Sequence, residues 1–380
     1  MKGIVQIPEF KPTRLEKFGI FYLGLMRHRD SAHNVFELTD EELSKRIKRI
    51  TRKGILLSAL VGFICVFPTV WVGIYFSGSP ILEHYGWVAG VTGLSIILQL
   101  YILLIIALRA VFEVSELINI HASKTDMFDN GAYSVNAILS RTALALPDPK
   151  LNILGFNPFE RVSKMNLFIS GLLYKARTFL TNLVLKKGLE YTAGNTVLGI
   201  SILYEAVPVE CFWNCVMTKK LIYQARLRLF GFALTSQIAM KVINDKLVKQ
   251  FSPLAKTGCL RAIANVIVMA KNYHPNMIIL LLRFQEIMQL TGEDKYDDWE
   301  MFLDTLKKVN AKERYFLLDL FTVAASFDGK LAELKGENLR TVYENDHDQY
   351  YPRLVQLTQY IKDGQLNAAL ALCKLDLVAS

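Results

Sequence analysis

Gly54-Ile-Leu-Leu-Ser-Ala-Leu-Val-Gly-Phe-Ile-Cys-Val-Phe-Pro-Thr-Val-Trp-Val-Gly-Ile-Tyr-Phe76 and Trp87-Val-Ala-Gly-Val-Thr-Gly-Leu-Ser-Ile-Ile-Leu-Gln-Leu-Tyr-Ile-Leu-Leu-Ile-Ile-Ala-Leu108 decide how this chain folds. Neither run contains a charged side chain, and Gln99 is the only strongly polar group in the second. Each exceeds the roughly 20 residues that a helix needs to cross about 30 Å of hydrocarbon. The connecting stretch, Ser77 to Gly86, carries the turn formers Gly78, Pro80 and Gly86. Trp71, Tyr75, Tyr85 and Trp87 gather at that end, as an interfacial aromatic belt does. The pair reads as a helical hairpin dissolved in a lipid bilayer. Two buried core helices of a soluble protein would rarely be adjacent, uninterrupted and this long.

Flanking charge orients the hairpin. Lys45, Arg46, Lys48, Arg49, Arg52 and Lys53 precede the first run and Arg109 follows the second, whereas the short connection has no Lys or Arg. The positive-inside rule places both termini in the cytoplasm. Gly54, Ser58 and Gly62 form a small-residue stripe of the kind that lets helices approach closely. In an antiparallel hairpin this stripe faces Leu98 to Leu108, where Ala107 is the only small residue. Either a second copy of the chain, giving a homodimer, or plain lipid then covers it.

Outward from the hairpin, the 380-residue chain is 52% apolar and carries a net charge of +9. Basic residues in clusters favour an anionic lipid surface or an acidic partner. Five scattered cysteines form no disulfide framework and fit a reducing compartment. The expected fold class is all-α, in four consecutive segments. Residues 1–53 are a basic helical lead, in which Thr39-Asp40-Glu41-Glu42 caps a helix that continues into the first apolar run. Residues 54–109 are the hairpin. Residues 110–250 form a membrane-proximal helical domain and residues 251–380 a C-terminal bundle.

Within the third segment, Arg161, Lys164, Lys175, Arg177, Lys186 and Lys187 interleave with apolar residues, a pattern suited to anionic lipid head groups and equally to a solvated helix face. Residues 192–218 are apolar but contain Glu205, Pro208 and Glu210. A carboxylate at mid-membrane costs about 2.5–3.5 kcal/mol, so this stretch is expected to form two helices meeting at Val207-Pro208 rather than a third span. The second is expected to end at a Gly231 cap.

Near the C-terminus, Val268-Met-Ala-Lys-Asn-Tyr-His-Pro-Asn-Met277 aligns without gaps on Thr322-Val-Ala-Ala-Ser-Phe-Asp-Gly-Lys-Leu331. Each copy has small residues at a helix end, an aromatic, a tight turn and a new apolar anchor, as a duplicated helical hairpin would. The second copy, with Glu333 and Glu337 following, resembles the TerB-like (tellurite-resistance) helical family over roughly residues 255 to 375. That resemblance implies a compact all-α bundle with a pseudo-repeat and, through Asp328 and Glu333, a site for a divalent metal such as calcium or magnesium. His274-Pro275 replaces the Asp-Gly of the family turn in the first copy, which leaves such a site half missing. A turn that closes one helix and caps the next accounts for Asp328 as well. Asn157-Pro-Phe-Glu-Arg-Val162 and Val207-Pro-Val … Phe212-Trp-Asn214 resemble a bacterial family of two-span membrane proteins, which implies a bacterial inner membrane and no particular activity.

Phosphate loops, dinucleotide fingerprints, zinc helices and nucleophile elbows are absent from the sequence. Cys211 and Cys215 share a helix face at a spacing that suits packing rather than zinc. Glu293, Asp294, Asp297 and Asp298 read as a helix start before Trp299. Aromatic residues do not interleave with the basic ones at base-stacking positions, so nucleic acid is not an expected partner. The expectation is a membrane-tethered scaffold or regulatory adaptor with a protein partner. A divalent-metal sensor or enzyme built on carboxylates around Asp328 is the alternative.

Overall fold

The structure is a computed structural model and describes residues 12–29, 38–76, 78–118, 134–144, 198–238, 250–269, 275–290, 296–327 and 336–373. Among the described residues every regular element is helical. In chain order these are α1 (Arg14–Arg29), α2 (Asp40–Tyr75), α3 (Ile81–Leu117), α4 (Val135–Ala143), α5 (Leu198–Gln237), α6 (Pro253–Met269), α7 (Pro275–Met288), α8 (Trp299–Lys308), α9 (Ala311–Ser326), α10 (Gly336–Tyr343), α11 (His347–Asp363) and α12 (Leu366–Leu372). A single 3-10 turn, Glu344–Asp346, joins α10 to α11. The chain divides into two compact units. One comprises Met1–Ile47, Phe112–Arg161 and Gln224–Ser380, and the other Lys48–Val111 and Val162–Tyr223.

In the second unit, α2 and α3 are each long and apolar enough to cross a bilayer. Between them Ser79 N–H donates to Phe76 O at 3.1 Å, and the rings of Phe76 and Trp87 stack at 5.6 Å. Leu56, Phe63, Ile64 and Phe67 on α2, with Leu94, Ile97 and Leu100 on α3, stand exposed.

The first unit obeys the ordinary rules of a water-soluble bundle. Helix starts are capped by their own sequences. Glu42 N–H donates to Thr39 Oγ1 while Thr39 N–H donates to Glu42 Oε2, the reciprocal pair expected for the start of α2. Asp298 accepts from Met301 N–H and so starts α8, while Glu293 and Asp294 lie outside the described residues. Asn310 and Glu313 form a further reciprocal cap on α9, and the buried Glu313 also accepts from Ser252 N–H at 2.6 Å, just ahead of α6. α6 and α9, the helices that end in the two aligned segments, pack on each other. Phe302 stacks on Phe321, which meets Tyr343 edge-on, and Tyr343 stacks on Tyr350, a chain of rings through the core between α8, α9, α10 and α11.

α5 departs from expectation. It is one continuous helix through Pro208, which forfeits a single backbone bond, and through Gly231. Gly231 is a niche rather than a cap. A Cβ there would lie 1.8 Å from Asn276 Nδ2, and that amide donates to Leu227 O at 3.1 Å. Gly231→Ala should therefore evict a buried hydrogen-bonded side chain and cost roughly 2–4 kcal/mol, read as a fall in the urea midpoint.

Burial also sets the reactivity of this unit. It pushes the Cys373 thiol up to about 12 although the Arg353 guanidinium pulls the other way. Burial likewise raises the Cys259 thiol and the Tyr343 and Tyr350 phenols. These groups are neutral in the fold, and in the unfolded chain they ionise near pH 8.5 (thiols) and 10 (phenols). Their raised values leave stability intact below about pH 8.5 and remove it as pH rises toward 12. Cys259 and Cys373 should resist maleimide at pH 8 in the native protein and react in urea, with modified sites assigned by mass spectrometry.

Candidate functional site: a polar cluster between apolar helices

The small-residue stripe on α2 meets α5 of the same chain. Ser58 and Thr218 hydroxyls lie 2.7 Å apart, and Ser58 Oγ also donates to Gly54 O. A Cβ on Gly54 would touch Ile222 Cδ1 at 3.0 Å, and one on Gly62 would stand 3.2 Å from the Cys211 backbone. Cys211 Sγ donates to Ala59 O at 3.2 Å and Cys215 Sγ to Ile55 O at 3.7 Å. Partners on α5 descend in number as those on α2 rise, so the two helices run antiparallel. Residues 211, 214, 215, 218 and 222 recur at three- and four-residue intervals and form one face. The stripe of Gly54, Ser58 and Gly62 thus has a neighbour within the chain: side chains of Thr218 and Ile222 lie against Gly54, and the backbone of Cys211 and the amide of Asn214 lie against Gly62.

At the upper end of this contact sits a polar cluster. Gln99 of α3 donates through Nε2 to Glu210 Oε1 at 2.6 Å and approaches Asn214 Oδ1 at 3.4 Å. Asn214 Nδ2 in turn donates to Ser58 O at 3.4 Å. Gln99 and Asn214 are both buried. Among the described residues Glu210 has no Lys, Arg or His partner. Helices α2, α3 and α5 thus bring one half-buried carboxyl together with two buried amides. The sequence had flagged Gln99 as the lone polar group of its run and Glu210 as a reason against membrane entry, but nothing local joins them.

In the first unit a charged clamp holds α12 at both ends. Asp40, the first residue of α2, accepts from Asn367 N–H at 2.9 Å through Oδ1 and from Ala368 N–H at 3.0 Å through Oδ2. Arg353 of α11 donates to Leu372 O at the other end, at 2.7 Å, and pairs with the buried Asp319 of α9 at 2.5 Å. An acid at the N-terminus and a guanidinium at the C-terminus both complement the helix dipole. Sequence reasoning read Asp40 only as an early acid of its own helix.

Of the residues proposed from sequence, Asp328 and Glu333 lie outside the described residues, as do Arg161, Lys164, Lys175, Arg177, Lys186 and Lys187. Among the described residues no group of three or more His, Cys, Asp or Glu side chains converges as a metal site. Glu344 and Asp346 instead flank Arg314, at 3.8 and 2.6 Å. Compared with known proteins, the chain matches no family model, no curated protein and no solved structure.

Proposed function

We propose that this chain is a membrane-anchored helical adaptor, with the apolar helices in lipid, both termini in the cytoplasm, and a TerB-like C-terminal bundle that presents an interaction surface to a protein partner. The observation that carries the reading is the Asp40 clamp. The helix that begins at Asp40 continues into the first apolar run, and its first side chain fastens the last helix of the bundle. Displacement of the bundle by a partner is thereby coupled to the base of the membrane helix, and the reverse. The exposed apolar bands on α2 and α3 support the lipid setting, and the packing of α6 on α9 supports the duplicated bundle. The basic residues between Arg161 and Lys187 are assigned to anionic lipid head groups on their composition.

α5 runs beside α2 from Ile222 back to Cys211, so its earlier turns extend toward the far face of the layer. Accessibility labelling should then find Leu198 on the same side as Gly78 and opposite Ser380.

The adaptor reading is tested by a mild-detergent pulldown of the intact protein with quantitative mass spectrometry. A cytoplasmic protein should copurify in near-stoichiometric yield. It should be lost when the exposed Tyr351 and Val355 are changed to aspartate in a variant whose urea midpoint is unaltered. Equal recovery of partners by both proteins, or none by either, contradicts the reading.

A further inference from the structure

We propose that Arg49 and Arg52 of α2, with Lys219 and Lys220 of α5, form a headgroup site for an anionic phospholipid whose acyl chains lie along the apolar face of α2. The inference rests on the reading that α2 and α3 lie in lipid. It concerns residues apart from the basic run between Arg161 and Lys187, and it requires no crossing of the layer by α5.

α2 supplies one face that changes character once. Arg49, Arg52, Leu56, Leu60, Phe63 and Phe67 recur at three- and four-residue intervals and so share one side of the helix. All six are exposed. The face is cationic up to Arg52 and apolar from Leu56 onward, on a helix long and apolar enough to cross a bilayer. α5, in the same compact unit, makes the change in the opposite chain direction. Phe212 and Val216 are exposed, and Lys219 and Lys220 follow on the same side, also exposed. Register between the two antiparallel helices is set by Ser58 against Thr218 and Gly54 against Ile222. Lys219 and Lys220 therefore stand level with residues 54–58, roughly 6–8 Å further along the axis than Arg52, an offset that long cationic side chains can span. Cations from two helices thus flank the first apolar turn of α2.

The chemistry of that arrangement selects the occupant. A soluble anion would answer the four cations and leave Leu56 and Leu60 bare. An apolar segment would cover the leucines and strip water from the cations without pairing them. An anionic phospholipid answers both halves at once. Its phosphate oxygens accept charge-assisted hydrogen bonds from the guanidinium and ammonium groups, and its acyl chains continue along Leu56, Leu60 and Phe63. Each cation near an anionic membrane surface strengthens association about five-fold at low salt. The positive-inside rule accounts for the cations of α2 by themselves. The lysine pair that α5 brings to the same level is what makes the site two-sided.

The test uses the purified full-length protein reconstituted in phosphatidylcholine bilayers with a trace of spin-labelled phosphatidylglycerol or spin-labelled phosphatidylcholine. The motionally restricted fraction of each label, read by electron paramagnetic resonance, reports its association with the protein. The anionic label should be enriched at least about two-fold over the neutral one at low salt, and the enrichment should fall toward unity in about 1 M sodium chloride. Arg49→Gln with Arg52→Gln, and separately Lys219→Gln with Lys220→Gln, should each remove about half of the enrichment or more. Lys307→Gln with Lys312→Gln, an equal loss of exposed charge in the bundle, should leave it unchanged. The α5 pair keeps the result readable where the α2 pair disturbs insertion. Full enrichment in the α5 pair overturns the proposal. So does loss of enrichment in inorganic phosphate relative to sodium chloride of equal ionic strength, which would mark a site for a free anion. Release of the protein from native membranes by alkaline carbonate is a separate result, and it defeats the membrane reading and the site with it.

Discussion

Arg353→Ala should cost the bundle about 3–5 kcal/mol, because it strips the guanidinium from a carboxylate that has no access to water. Asp319 is 3% exposed and receives Arg353 Nη1 at 2.5 Å. The same guanidinium donates through Nε and Nη2 to Leu372 O, so the substitution also frees the C-terminal end of α12. The measurement is a urea midpoint in mild detergent, alongside protease sensitivity after Leu372. Pairing Arg353→Met with Asp319→Leu separates the two losses. Removing both charges abolishes the stranded carboxylate, and the weaker losses of the Leu372 contact and of the Tyr350 hydrogen bond to Asp319, about 1–3 kcal/mol, should remain. A double variant as damaged as Arg353→Ala would show that the packing of the long side chain, rather than charge burial, accounts for the effect.

The second large effect belongs to Gly62→Leu. A Cβ at this position would stand 2.9 Å from Asn214 Nδ2 and 3.2 Å from the backbone of Cys211. Because backbone cannot rotate aside, a leucine must push α5 off α2 and break the Asn214 link to Ser58 O. An oxidative crosslink between Ala59→Cys and the native Cys211, whose Sγ already reaches Ala59 O, reads the distance directly. It should form in high yield within one chain and fall to background in the Gly62→Leu variant. Gly93→Leu is the matched control. Nothing lies within 4 Å of a Cβ there, and the crosslink should be unaffected.

How much of this was legible depended on the range of the interactions. The helical hairpin was, because a charge-free run is a local property and so is the Thr39–Glu42 cap. The all-α class followed from the same periodicities. The stripe of Gly54, Ser58 and Gly62 was read as a surface for a second copy or for lipid, because the α5 residues that meet it lie about 160 residues away. Pro208 seemed a break, but a long helix with packed flanks tolerates the loss of one backbone bond. Glu210 was read as a reason against a third span, and α5 is not one of the two helices long and apolar enough to cross a membrane; its meeting with the Gln99 amide, 111 residues distant in α3, was not legible. Gly231 matched the local signature of a helix end, whereas its real constraint is the side chain of Asn276. Asp40 was read by its position at the head of α2, while its two oxygens serve the amides of a helix more than 320 residues downstream. Local patterns reveal elements, and the sites made between elements become visible only in the fold.

The account stands or falls on whether α5 shares the hydrocarbon layer with the hairpin. Nitroxide labels at Ile97 and Phe212, both exposed on the outer surfaces of their helices, can be placed one at a time in a variant without native cysteines and reconstituted into lipid. Collision with dissolved oxygen should exceed collision with a water-soluble nickel chelate at both positions, and to a similar degree, while a label at Tyr351 behaves in the opposite way. A Phe212 label that meets the nickel chelate as freely as Tyr351 would place α5 in water and contradict the account.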